Sequence, residues 1–179
     1  GIALGTIPIV VLGLTFKDFI ENEARSLQLI GSTLIILAIF LYLSEKLTVP
    51  KFTIEQLGIW KIQWIGLCQA FALIPGCSRS GSTIMGSLIV GLNRESAARF
   101  SFLLGLPAIL GSGVFEFVQL VQEGLGEAGL FHTAVGICMA FVSGYLSIGI
   151  LLKILTQYGT LLFVIYRILL GSYLLTVSL

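Results

Sequence analysis

The chain has 179 residues, 56% of them hydrophobic and 11% charged, with a formal net charge of +1 and a mean hydropathy of +1.04. A soluble domain carries about 25% charged residues, so the composition excludes one and indicates an integral membrane protein. Its apolar runs are continuous rather than alternating, which excludes a β-barrel and makes the fold all-α and polytopic, and the near-neutral charge gives no basic surface for nucleic acid.

The first residues, "GIALGTIPIVVLG", carry no Met and begin inside an apolar run, so the expectation is a fragment or processed chain with something missing upstream. A bilayer-spanning helix needs about 20 residues. Five stretches meet or approach that length: Gly1–Phe16, Leu27–Leu43, Phe100–Val121, Leu130–Leu152 and Thr160–Leu179. Polar links separate them, among them "KDFIENEAR", "SEKLTVPKFTIEQ" and "QEGLGEAG". No domain-type linker or short-period repeat is visible, so residues 1–179 read as one membrane domain. A sixth apolar region behaves differently. Ile59–Ile74 is interrupted by Lys61, Gln63 and Gln69 and is stopped by Pro75-Gly76, since proline lacks an N–H and glycine favours breaks. A second helix is expected from near Ser80 to Leu92, with Asn93 at its C-terminal end. At 1.5 Å per residue the two pieces reach about 24 and 20 Å, short of the ~30 Å hydrocarbon core. Residues 59–92 therefore predict a re-entrant hairpin with a broken tip. Irregular backbone at membrane depth is tolerated only beside protein or a water-filled cavity, so the tip also predicts a cavity. Small residues recur every four positions at Thr83, Ser87 and Gly91, and at Gly136, Ala140 and Gly144, which suits close helix packing.

The tip reads Gly76, Cys77, Ser78, Arg79, Ser80, Gly81, Ser82, Thr83. An intramembrane arginine costs about 3 kcal/mol or more and is a functional hypothesis by default. Its planar fork suits phosphate or carboxylate. A helix starting just after it offers free N–H groups and the positive end of a dipole. The hydroxyls add neutral donors and the glycines allow close approach. Together they form a cradle for an anion, phosphate above all. The plainer alternative is that Arg79 pairs with a buried acid or with carbonyls, which would not need so many Ser and Gly.

"LIPGCSRSGST" resembles the second signature of the bacterial undecaprenyl-diphosphatase family, also called bacitracin-resistance proteins. "GLCQAFALIPG", "GLNRESAARFSFLLGLPAI", "AFVSGYLSIGILLKIL", "FVIYRILLG" and "GTIPIVVLGLTFKD" agree as well. The resemblance implies an enzyme that removes one phosphate from undecaprenyl diphosphate and recycles the lipid carrier for cell-wall polysaccharide. It assigns Arg79 to grip the diphosphate, with Ser78, Ser80 and Thr83 lining the same site and Gly76 and Gly81 shaping the turn. Ser82 joins the substrate-binding set, and from position so does Gln69, one to two turns before the tip, whose amide suits holding the hairpin backbone as well as touching substrate. The resemblance gives Cys77 no role. In the family an earlier hairpin carries glutamates, serines and a histidine. It supplies the nucleophile or base and the carboxylates for a divalent cation (Mg or Ca), and it would precede Gly1. The architecture implied is half of an inverted repeat, and these residues alone are expected to be hydrolytically inactive. The implied partners are the polyprenyl diphosphate and the bilayer. Bacitracin competes for the substrate rather than binding the protein, and a homodimer is left open.

The remaining polar residues are weighed from position. His132 starts a span, away from the tip, and suits an interfacial role. Glu116 and Arg167 lie near span ends, where each can snorkel or line the cavity, snorkelling being favoured. Cys68, Cys77 and Cys138 lack metal-ligand spacing. Trp60 and Trp64 sit where an interface anchor belongs. If the hairpin returns to the side it left, one side carries Lys46, Lys51, Lys61, Arg94, Arg99 and Lys153. The other carries Lys17 and Arg25 with Asp18, Glu21, Glu23, Glu123 and Glu127. The positive-inside rule then makes the first side cytoplasmic, with the C-terminus outward, and the resemblance implies a bacterial inner (plasma) membrane. The rival reading is a secondary transporter or flippase for an anion or lipid phosphate, whose broken helices would look the same. A non-catalytic membrane subunit is the third.

Overall fold

The computed structural model describes residues 1–15, 26–123 and 129–178. Its α-helices are α1 (Ile2–Thr15), α2 (Leu27–Leu47), α3 (Ile59–Ala70), α4 (Arg79–Ile89), α5 (Arg94–Glu123), α6 (Gly129–Tyr158) and α7 (Leu161–Val177). Among the described residues the only β-type pairing is an isolated bridge between Phe52 and Leu92. The all-α membrane fold expected from composition is what the chain adopts. Among the described residues three helices are long and apolar enough to span a bilayer: Leu27–Leu47, Arg94–Leu120 and Phe131–Tyr158. The first and last of the five expected spans form shorter apolar helices, α1 with 14 residues and α7 with 17. Lys17, Asp18, Glu21, Glu23, Arg25 and Glu127, on which the less basic side of the charge count rests, lie outside the described residues.

α3 and α4 form an antiparallel pair whose outer ends meet at one place. The Lys61 ammonium lies 3.1 Å from the centre of the Phe52 ring near the start of α3. Just past the end of α4, Leu92 bridges the same Phe52. The two helices are shorter than their sequence suggests, 12 and 11 residues, or about 18 and 17 Å. α3 stops early because its last turn tightens into a 3₁₀ turn at Phe71–Leu73. α4 stops at Ile89 because Gly91 takes φ +94. The Leu92 N–H then bonds the Ser87 carbonyl and the Gly91 N–H the Leu88 carbonyl, the double bond of a Schellman cap. Asn93, expected to end α4, instead begins α5: its Oδ1 accepts from the Ser96 N–H at 2.8 Å, the pattern of an N-cap.

Helices approach where single glycines face each other on different helices. Gly31 of α2 meets Gly171 of α7 so closely that a Cβ on either would lie 2.9 or 2.8 Å from the other's carbonyl. Gly5 of α1 lies against Gly66 of α3, and Gly86 of α4 against Cys68. α1 also carries Pro8 inside the helix, which leaves the Leu4 carbonyl without its usual donor. Gln63 of α3 supplies one, Nε2 donating at 2.9 Å. The core gathers where α2, α3, α4 and the first half of α5 meet, around Ala38, Ile65, Leu88, Ala98 and Leu104. α6 is the contrast. Its apolar stretch is almost wholly exposed, and a Cβ at Gly136 or Gly144 would meet nothing within 4 Å.

At the end where α2 finishes and α5 and α7 begin, Glu45 ties three helices together. Its carboxylate pairs with Arg94 at 2.5 Å. It also accepts from the Thr160 N–H at 2.7 Å and from the Thr160 hydroxyl. This holds the start of α7, and so the position of everything α7 carries.

Candidate active site

The break between α3 and α4 is a type II turn built by its sequence. Ile74 is extended, as a residue before proline must be. Pro75 and Gly76 take the two central positions, Gly76 at φ +87, which a residue with a Cβ resists. The Cys77 N–H closes the turn onto the Ile74 carbonyl at 3.0 Å. Two helices bolt the turn in place. Thr33 of α2 donates to the Pro75 carbonyl at 2.7 Å, and Arg167 of α7 donates from Nη2 to the Gly76 carbonyl at 2.9 Å. There is no room for more: a Cβ at Gly76 would fall 2.1 Å from the Thr33 hydroxyl and 2.6 Å from the Ile30 carbonyl.

Ser78 then caps α4. Its backbone is extended and its Oγ accepts from the Gly81 N–H at 3.2 Å. The Ser80 hydroxyl lies 3.1 Å from that of Ser78. The Arg79 and Ser80 N–H groups fall in the first turn, where a helix has no acceptor of its own. This end of α4 faces a cavity of about 440 Å³, bordered by Gly76, Cys77, Ser78, Ser80 and Gly81, by Leu34 of α2 and by Phe163 and Arg167 of α7. Hydroxyls, a helix N-terminus and a guanidinium thus meet at one apolar-walled space. Chemically that arrangement binds an anion and disfavours a cation.

The other expected site residues go elsewhere. The Arg79 side chain turns away from this cavity towards α5, where Nη1 donates to the Gly105 carbonyl at 3.2 Å. It fits because Gly105 has no side chain, since a Cβ there would lie 2.8 Å from Nη2. Thr83 is buried, bonded to the Arg79 and Ser80 carbonyls at 2.8 and 3.1 Å and to the Ser101 hydroxyl. Ser82 and Gln69 are fully buried. The Ser82 hydroxyl, the Ser87 hydroxyl and both polar ends of Gln69 have no partner among the described residues. His132 makes an edge contact with Phe131 at the start of α6, away from the tip. Glu116 lies exposed on α5.

Arg167 is the member that reasoning from position misplaced. Near a helix start it suits the interface, yet it is 6% exposed and bonded to the tip, with Nε also 3.4 Å from the Leu34 carbonyl. A usable signal was present: an arginine within "FVIYRILLG", flanked on both sides by apolar residues, has too few polar neighbours to mark a helix end.

Among the described residues no carboxylate or imidazole borders the cavity, and there is no group of three or more His, Cys, Asp or Glu able to take a metal. A divalent cation does not fit these residues, because the only charge they offer it is a guanidinium.

The sequence profile of the bacitracin resistance protein BacA family matches residues 1–173. Among curated relatives, the undecaprenyl-diphosphatase of Chloroherpeton thalassium is 47% identical over 182 residues, covering 97% of this chain and 64% of its own length. That of Chlorobaculum tepidum is 47% identical over 178 residues, covering 95% and 63%. That of Trichodesmium erythraeum is 45% identical over 174 residues, covering 95% and 56%. The chain thus spans less than two thirds of the length of these relatives. With likeness this even and this extensive along its whole sequence, the chain belongs to the BacA bacitracin-resistance family.

Proposed function

We propose that this chain forms the phosphate-holding part of a membrane phosphatase that hydrolyses undecaprenyl diphosphate to undecaprenyl phosphate and inorganic phosphate. The carrier lipid is thereby returned to cell-wall polysaccharide synthesis. The observation that carries the reading is the cavity at the start of α4, where Ser78, Ser80, free N–H groups and Arg167 converge. Relatives bearing the name undecaprenyl-diphosphatase support the substrate.

In this mechanism the hydroxyls of Ser78 and Ser80 and the first N–H groups of α4 donate to the diphosphate oxygens. Arg167 holds the turn and adds its positive field. Arg79 spends one bond on Gly105, so most of its fork remains for a phosphate that reaches the α5 side. Groups aimed at phosphoryl oxygens stabilise the charge that spreads over them in the transition state, usually the largest contribution to such transfers. No nucleophile–base pair lies among these residues. The attacking group, and the carboxylates for any Mg or Ca ion, are placed outside them. We place the chain in a bacterial inner membrane with the basic end cytoplasmic and the C-terminus outward. In support, Lys51, Lys61 and Arg94 come to the end where α2 and α4 finish. The turn contacts α2 at Thr33, about 9 Å from the start of that helix and 21 Å from its end at 1.5 Å per residue. This depth suits a re-entrant hairpin reached from outside. Bacitracin, in this reading, competes for the lipid and not for the protein.

The test is release of inorganic phosphate from a polyprenyl diphosphate by the purified, intact protein. Release is expected. Binding of the lipid without any release would favour a flippase or transporter and remove the phosphatase.

A further inference from the structure

The end of the bundle where α2 and α6 finish and α5 and α7 begin carries a hollow that the phosphatase reading leaves unused. It holds about 120 Å³, well under the ~300 Å³ of an ordinary small-molecule pocket. Its border is Tyr42, Glu45 and Lys46 of α2, Arg94 of α5, Tyr158 of α6 and Leu161 of α7. Gly159 lets the four helices meet. At φ +66 it turns the chain from α6 into α7. A Cβ there would collide with the Glu45 carboxylate and lie 3.1 Å from Cζ of Arg94.

The charges on this border are unequally used. Glu45 spends Oε1 on Arg94 and Oε2 on the N–H and hydroxyl of Thr160. The next carboxylate, Glu95 on α5, is paired with Arg99 at 2.7 Å. Lys46 pairs with no carboxylate among the described residues, and its ammonium lies 5.7 Å from the centre of the Tyr42 ring. Two cations against one carboxylate leave one positive charge in excess. Two helices end here and two begin, so their dipoles largely cancel and the side chains decide the sign. The hollow therefore suits a small anion of single charge whose oxygens can accept from the lysine and the two phenols.

Its height says which anion. α2 has 21 residues, about 32 Å of helix, which matches the ~30 Å hydrocarbon core. The last turn of α2, with Lys46, therefore comes to the level of the lipid headgroups, where tyrosine is also enriched. Leu161 is exposed and gives the hollow an apolar lip. Basic pockets between spanning helices at this level bind anionic headgroups. We infer that the hollow between Lys46, Arg94, Tyr42 and Tyr158 binds the phosphodiester of an anionic membrane phospholipid, with Lys46 as its free cation.

Lipid retention by the purified, intact protein tests this, with a readout that does not depend on hydrolysis. Native mass spectrometry gives the dissociation constant of the tightest-bound phosphatidylglycerol, with phosphatidylcholine as the zwitterionic comparison. The wild type is expected to hold phosphatidylglycerol at least tenfold more tightly. Lys46→Gln should weaken that binding at least fivefold, and Lys46→Arg, which keeps the charge, should restore most of it. Lys51→Gln, at the same end of the bundle but off the border of the hollow, should change nothing. Equal retention of the two lipids would overturn the inference. So would an unchanged constant in Lys46→Gln, which would seat the lipid elsewhere, or an equal loss in Lys51→Gln, which would reduce the effect to diffuse surface charge. Displacement of the lipid by an equal concentration of inorganic phosphate would also overturn it, assigning the hollow to the free ion.

Discussion

The first turn of α4 has two sides, and its surroundings differ. Towards α2 and α7 it meets open space, with Arg167 held by two carbonyls, those of Gly76 and Leu34. Towards α5 it meets packed backbone, with Arg79 held by the single carbonyl of Gly105 and the Thr83 hydroxyl turned onto Ser101. Arg79 lies among serines and glycines and Arg167 within apolar sequence, and the two are used differently. Arg167 is committed to the fold, because its bonds fix the turn that shapes the cavity. Arg79 is barely committed: its one bond to the Gly105 carbonyl leaves most of its fork unused among the described residues. An arginine in a membrane helix is therefore not by itself evidence of a ligand site; the number of protein acceptors it already satisfies decides.

The sharpest way to break this contrast is at Gly76, on the Arg167 side. Gly76→Ala forces a Cβ onto φ +87 and into Thr33 and Ile30. A cost of about 3 kcal/mol or more is expected, read as a large fall in thermal stability in detergent. Gly81→Ala should be far milder, because its nearest atom, the Ser78 Cβ, is 3.3 Å away. Next come the arginines themselves. Arg167→Lys keeps the charge but can no longer reach both carbonyls, and should cost about 2 kcal/mol of stability. Arg79→Lys should cost less than about 1 kcal/mol of stability, because one neutral carbonyl is all it leaves. It should nonetheless lower phosphate release at least tenfold, about 1.4 kcal/mol in the barrier. Equal losses of stability in the two variants would erase the distinction drawn here.

The smallest effect is expected on α6. Gly136→Ala and Gly144→Ala should cost this chain no stability, the gain from alanine's helix preference being at most about 1 kcal/mol, because neither position meets another atom within 4 Å. The sequence suggested packing there, since small residues recur every four positions. That periodicity reports a smooth face and not what covers it. The close approaches that do form, Gly31 on Gly171 and Gly5 on Gly66, join single glycines far apart in the chain, and no local pattern announces them. Local signals fared better. Pro75-Gly76 announced its turn, since proline fixes φ and glycine accepts the positive φ that this turn requires. The helix start expected near Ser80 falls one residue late: α4 begins at Arg79, and Ser78, not singled out from the sequence as a cap, accepts from the Gly81 N–H. Helix ends were less legible: Asn93 suits either the end of one helix or the start of the next, and the bond to Ser96 decides. Arg167 was legible as costly but not as placed, because its partners are carbonyls 91 and 133 residues away.

The central claim is that the start of α4 holds the diphosphate in a wet cavity. It is tested most directly by placing a single thiol there. In the intact protein with Cys68, Cys77 and Cys138 replaced by alanine, Ser80→Cys is exposed to a small, membrane-impermeant thiol reagent added from outside. The account predicts that this thiol is labelled and that polyprenyl diphosphate slows the labelling at least fivefold, while a polyprenyl alcohol of the same length does not. Labelling that the diphosphate leaves unchanged, or that occurs only from the cytoplasmic side, would contradict it.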